Sequence, residues 1–199
     1  MPMDALPDFA TMSLSDVAKA LADKRLPPVE KWNPAHCGDS EMRIARDGTW
    51  FHQGSPIGRT AMVRLFSTIL RREADGRHVL VTPGEKLDIV VDDAPFIAVE
   101  VKNDGAGRDR LLAFRLNTGD LVVADAEHPL RFEDRDEACP KRLPQTGSRR
   151  GPHPYLHVRG GLEALVTRSV YYELAEMALE DGSNPPGVWS GGAFFPMTV

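Results

Sequence analysis

Apolar residues recur along this chain with two different periods, and the switches between them mark out its elements. Leu14, Val17, Ala18 and Leu21 follow a helical stripe. Ser13 stands where a cap belongs, with Asp16 three residues on. Leu26-Pro27-Pro28 ends this helix, because proline cannot continue it. Residues 27–40 read as an extended connector pinned to the body by Trp32. Two runs, 42–46 and 49–53, then flank Asp47-Gly48, a two-residue hairpin signal. After a corner at Pro56 the helical period returns. Met62, Leu65, Phe66, Ile69 and Leu70 predict a core-facing helix over about 59–73, with Arg64, Arg71 and Arg72 off its apolar face.

Val- and Ile-rich runs at 78–82, 87–91 and 96–102 predict three antiparallel strands. Runs 111–116 and 121–124 predict two more around Asn117-Thr118-Gly119. Residues 133–153 are polar and broken by Pro and Gly, as in a long excursion loop. A short strand at 155–158 and a helix over about 160–179 follow. The tail from Ser183 carries Trp189, Phe194 and Phe195, which predicts docking on its own chain or on a partner.

The pattern repeats itself. Residues 44–70 give a strand, a Gly turn, a strand, a corner with Pro, an apolar residue and Arg, and a helix. Residues 112–132 and 155–179 give the same series, with His128-Pro129-Leu130-Arg131 at the corner and Arg159-Gly160-Gly161 before the helix. The expected fold is α+β: an N-terminal helix and connector (1–40), a first antiparallel-β/α unit (41–108), a second (109–182) packed on it, and a docked tail (183–199).

One stretch carries a family resemblance. Asp47-Gly48-x-Trp50, Pro56-Ile57-x-Arg59, Val63-Arg64-Leu65-Phe66-Ser67, Val81-Thr82-Pro83-x-Glu85-Lys86 and Val91-x-Asp93-x-Pro95-Phe96 resemble a family of small proteobacterial proteins of unknown function. His128-Pro129-Leu130-Arg131 and Tyr155-Leu156-x-Val158-Arg159-Gly160-Gly161-Leu162-Glu163-Ala164-Leu165 are similar too. The resemblance covers roughly residues 20–180. It implies an α+β fold of repeated β/α motifs and a link to ligand sensing or signalling, and it supplies no catalytic residues.

Composition narrows the function without naming it. The 199 residues carry a net charge of −5, which argues against general nucleic-acid binding. No apolar run is long enough to span a membrane, and the first ten residues lack the pattern of a signal peptide. Cys37 and Cys139 read as free thiols of a cytoplasmic protein. No phosphate-binding, dinucleotide or nucleophile-elbow motif is present. His153 and His157, on a strand, stand roughly 13 Å apart, too far to share a metal. No metal or cofactor is expected.

The candidate site is basic. A helix starting at Arg159-Gly160-Gly161 would offer unpaired N–H groups to an anion. Arg59, Arg64, Arg131 and Arg159 recur at matching places in the two units and could grip a carboxylate or phosphate. The structural alternative is that the glycines only cap helices and the arginines pair with Glu85, Asp92, Asp93 or Glu163. Three functions follow: a non-catalytic module for a small anionic ligand held between the units, a hydrolase using His128 or Glu85 in the same cleft, or an adaptor or homodimer joined through the aromatic tail.

Overall fold

A computed structural model describes residues 12–23, 26–133 and 153–198. The chain is α+β with sheet dominating. Helix α1 (Leu14–Asp23) is the first element among the described residues. Ser13 Oγ donates to Asp16 Oδ2 at 2.6 Å and accepts from the Asp16 N–H at 3.1 Å, a reciprocal cap. The Ser13 hydroxyl, and then the Ser13 N–H, donate to the Asp16 carboxylate and hold it below its ordinary pKa. A single turn of 3-10 helix (Val29–Lys31) follows.

The first sheet contains β1 (His36–Ile44), β2 (Trp50–His52), β3 (Ser55–Pro56), β4 (Leu70–Arg72), β5 (His78–Val81) and β6 (Glu85–Val91), in the order β3-β2-β1-β6-β5-β4. Helix α2 (Thr60–Thr68) links β3 to β4. The second contains β7 (Phe96–Asp104), β8 (Leu111–Leu116), β9 (Leu121–Val123), β10 (Leu130–Glu133), β11 (His153–Arg159) and β12 (Leu162–Val166), in the order β10-β11-β12-β7-β8-β9. Each strand of the second sheet occupies the place of the strand six earlier in the first. Both are antiparallel except at the middle, where β1 runs parallel to β6 and β7 to β12. Helix α3 (Arg168–Asp181) and a hairpin of β13 (Gly187–Ser190) and β14 (Ala193–Pro196) complete the chain.

The duplication is therefore one of sheets rather than of β/α units, and its register differs from the sequence reading. The β1–β2 hairpin corresponds to β7–β8, not to β8–β9, although Asp47-Gly48 and Thr118-Gly119 both sit in tight turns. The boundary falls between β6 and β7 rather than at 108, because β7 pairs with β8 and β12 and belongs wholly to the second sheet. The corner equivalent to α2 carries no helix: Asp125 Oδ1 accepts the Glu127 and His128 N–H groups at 2.8 Å and folds residues 125–128 into a turn.

The helix expected over 160–179 is two elements. Leu162, Ala164 and Val166 point inward on β12, a period of two, and α3 starts only at Arg168. Gly160 and Gly161, at φ +49° and +75°, form the two-residue turn that joins β11 to β12, a conformation glycine adopts without steric cost. The helix expected over 59–73 likewise stops at Thr68, and Leu70–Arg72 is the edge strand β4.

One apolar core runs through both sheets, from Ile44, Trp50 and Leu70 to Phe96, Phe114, Leu156, Leu174 and Phe195. A smaller cluster seats Val17 of α1 on Ala113, with Leu121 and Val123 beside it. The sheets also touch at their hairpin tips. A Cβ on Gly48, at φ +83°, would lie 2.6 Å from Asn117 Nδ2 and 2.7 Å from Ile97 Cγ1, so a larger residue there must displace both side chains. Asn117 in turn accepts the Ile97 N–H on Oδ1 at 3.1 Å and donates its own N–H to Ile97 O at 2.8 Å.

The tail folds back on its own body. Ser190 Oγ, buried, accepts the Leu112 N–H at 2.9 Å and donates to Ala124 O at 2.6 Å. Arg108 lies over the Trp189 ring, 4.8 Å from its centroid. Most of the expected 133–153 loop, and Cys139 with it, falls outside the described residues; Cys37 is a free, exposed thiol.

Candidate functional site

The four arginines singled out by the sequence part company in the fold. Arg131, on the edge strand β10, donates Nε and Nη2 to the two oxygens of Glu163, both at 2.7 Å, and also pairs with Glu133. Its guanidinium covers the Tyr155 ring. The Glu163 hydrogen bonds raise its pKa, and this arginine is consumed by its neighbours as the structural alternative held. Arg59 is exposed immediately before α2, and Arg64 lies half-buried on α2 with its Nε lacking a partner among the described residues. Arg71 is buried rather than on an outer helix face, donating Nη1 to Val29 O and Trp32 O at 2.7 and 2.8 Å.

Arg159 is different. It ends β11, and among the described residues its hydrogen bond is from Nη2 to Ser67 O at the C-terminal end of α2, 2.6 Å away. That contact joins the second sheet to the helix that covers the first and places a cation at the negative end of that helix. Arg72 returns the tie, donating Nη1 to Gly161 O at 3.1 Å. Burial lowers the Arg159 pKa, partly offset by the charges of Asp120 and Glu30. Gly160 and Gly161, being in a hairpin turn, offer no helix N-terminus; the Gly161 N–H is already taken by His157 Nε2 at 3.3 Å.

Arg159 lines a hollow of ≈ 370 Å³. Leu21 of α1, Leu26, the whole of β9 and Val158 form its aliphatic wall. Asp120, Asp125 and His128 supply the polar positions beside Arg159. His128 Nδ1 lies 3.1 Å from Asp125 Oδ1, which fixes the imidazole. The His157 ring stands 6.2 Å from that of His128. Only Arg159, of the six residues proposed from the sequence, borders this space. Asp120, Asp125 and the aliphatic residues escaped notice because β9 reads as an ordinary strand; its place at the sheet edge beside α1 is a tertiary fact.

A second hollow of ≈ 400 Å³ lies against the first sheet, floored by Met42, Phe66, Leu80 and Leu87. Its rim carries Asp39, Glu41, Glu85 and His52 and, among the described residues, no arginine. Glu41 and Gln53 there hold φ of +54° and +49° and are hydrogen-bonded to each other through both backbone and side chain. Glu85 and His128 thus serve different hollows and cannot form one catalytic group.

The remaining candidates are tied down. Asp92 takes Arg43, and Asp93 takes Arg46 at 3.2 Å and the Tyr155 hydroxyl at 2.8 Å, so neither forms an acid/base pair with the other. His153 faces Arg46. Among the described residues no group of three or more His, Cys, Asp and Glu side chains is placed to hold a metal, and no helix is long and apolar enough to cross a membrane.

Comparison with known proteins follows the division seen in the sheets. Residues 27–94 match the N-terminal domain, and residues 95–197 the C-terminal domain, of the family of unknown function DUF1285. A crystal structure of a DUF1285 family protein from Silicibacter pomeroyi is 48% identical, with a TM-score of 0.76 over 92% of this chain and 94% of that one. A second, from Shewanella baltica, is 23% identical with a TM-score of 0.50 over 71% of this chain and 96% of that one, and shares the fold. No curated protein matches. Matched along nearly its whole length and split where its two sheets divide, the chain belongs to the DUF1285 family.

Proposed function

We propose that this protein is a non-catalytic binding or sensing module for a small anionic ligand, held in the hollow beside Arg159. One observation carries the reading. A guanidinium whose charge is disfavoured by burial makes one hydrogen bond within the described chain and faces a hollow of ≈ 370 Å³. A desolvated cation with unused donors gains from an anion more than an exposed one does. The volume lies within the range of ligand pockets, about 300–1,000 Å³. The free, exposed Cys37 thiol suits the cytoplasmic setting we assign to it.

The test is a thermal-stability screen against small anions, because a ligand that binds only the folded state raises Tm in proportion to its occupancy. A shift in the native protein that Arg159→Lys diminishes supports the reading. A screen in which no anion shifts Tm, or in which Arg159→Lys responds as fully as the native chain, ends it.

A second reading has its own observation. An imidazole oriented by a carboxylate, as His128 is by Asp125, is the arrangement of a general base. A hydrolase of this kind would show a turnover that His128→Asn abolishes, whereas the binding module keeps its Tm response in that variant.

A further inference from the structure

We infer that the second hollow, against the first sheet, takes a small organic cation with an aliphatic body, such as an alkylammonium. The inference is independent of the reading above, because none of the residues it uses borders the hollow beside Arg159. The floor is the first argument. Met42 and Leu80 are buried beneath the space, and Phe66, Ile69 and Leu87 stand half-buried around them. The ≈ 400 Å³ hollow is thus lined by hydrocarbon that the chain leaves partly uncovered. A volume of this size falls in the range of small-molecule pockets, about 300–1,000 Å³.

Charge is the second argument. Acids elsewhere on and beside this sheet are neutralised within the fold: Asp88 takes Arg77, Asp92 takes Arg43, and Glu73 takes Arg71 and Lys86. Asp39, Glu41 and Glu85 border the hollow and, among the described residues, have no cationic partner. The hydrogen bonds that two of them accept come from neutral donors, the Glu41 N–H at 2.8 Å for Asp39 and the Gln53 side chain for Glu41. These orient the carboxylates and leave their charge. Among the described residues no Lys or Arg lines the space, and His52 is its one basic side chain. The backbone agrees. The pairing of β1 with β6 slips between Asp39 and Met42, and Glu41 and Gln53 hold positive φ. A bulge re-aims a side chain, and strained backbone persists where its surroundings hold it, as at ligand clamps. An ammonium offers three N–H donors to these carboxylates while its hydrocarbon covers the floor, and burying two methylene groups strengthens binding roughly tenfold.

The experiment is calorimetric titration of the full chain at neutral pH with hexylamine, methylamine and hexanol. Hexylamine is expected to bind at least about tenfold more tightly than methylamine, which lacks the body, and several-fold more tightly than hexanol, which lacks the charge. Methylamine equal to hexylamine overturns the role of the floor; hexanol equal to hexylamine overturns that of the carboxylates; no heat with hexylamine overturns the site. Glu85→Gln locates the contact. The side chain is exposed, so the variant should keep the native Tm while hexylamine weakens several-fold, and adding Glu41→Gln should weaken it further. Native affinity in the double variant puts the cation elsewhere and overturns the proposal. No anion enters these titrations, so their failure leaves the reading of the Arg159 hollow standing.

Discussion

The two sheets share a strand order and differ in what covers them. The first is covered by α2, nine residues long, with Phe66 stacked on Trp50 at 6.4 Å and an open hollow of ≈ 400 Å³ beside it. The second is covered by α3 and the C-terminal hairpin, each locked by buried polar bonds. Arg110, 3% exposed, pairs twice with Asp181 of α3 at 2.6 and 3.1 Å. Ser190 bridges β8 to the residue after β9. Strand order in such sheets follows from short hairpins and a shared parallel centre. Cover depends on which chain segments come next, and so duplicated sheets can diverge in stability and in exposed space.

The comparison breaks hardest at its two anchors. Trp50→Ala removes the largest fully buried side chain of the first sheet and should cost about 3–5 kcal/mol. Arg110→Ala leaves Asp181 without its buried partner and should cost a similar amount, about 3–5 kcal/mol, in the second. Denaturant unfolding of both variants measures this. Ser190→Ala should cost about 1–3 kcal/mol, because it leaves the Leu112 N–H unsatisfied. Hydrogen exchange should then show protection lost in β8 with β1 and β6 unchanged; loss spread equally over both sheets would show that the hairpin braces the whole molecule.

A pH titration sharpens the contrast further. Burial, followed by the Arg72 charge, holds the His78 imidazole below its ordinary value of 6.5. The unfolded chain then binds the proton more readily, so this contribution is intact above that pH and is lost as pH falls below it. Stability measured between pH 7 and 5 should fall, and His78→Gln should flatten the fall. The smallest effect is expected at the outer helix faces. Leu65 on α2 and Leu179 on α3 are 62% and 76% exposed, and serine at either should change stability by less than about 0.5 kcal/mol. A larger loss, dependent on protein concentration, would reveal a covered face.

Much of the local structure was legible in the chain. The Ser13–Asp16 cap, the Asp47-Gly48 turn and the strands at 78–81 and 111–116 follow from neighbouring residues alone. The errors cluster where two periods fit one segment. Leu162-Glu163-Ala164-Leu165-Val166 satisfies a helical stripe and an alternating strand equally, and Gly160-Gly161 suits a helix end or a hairpin turn. Its strand state is decided by pairing with β11 and β7, residues far away in sequence. The arginines show the same limit. Nothing near Arg131 says that Glu163 will face it, or near Arg159 that Ser67 O and a hollow will.

By itself, then, the sequence determined the strands at 78–81 and 111–116, the capped first helix, the presence of two similar halves and the tight turn at Asp47-Gly48, since these rest on contacts within a few residues. The tertiary structure alone decided the register of the repeat, the fate of each guanidinium and the existence of the hollow beside β9. Those depend on which distant strands pair and what packs across them, and side-chain spacing along a chain carries no record of that.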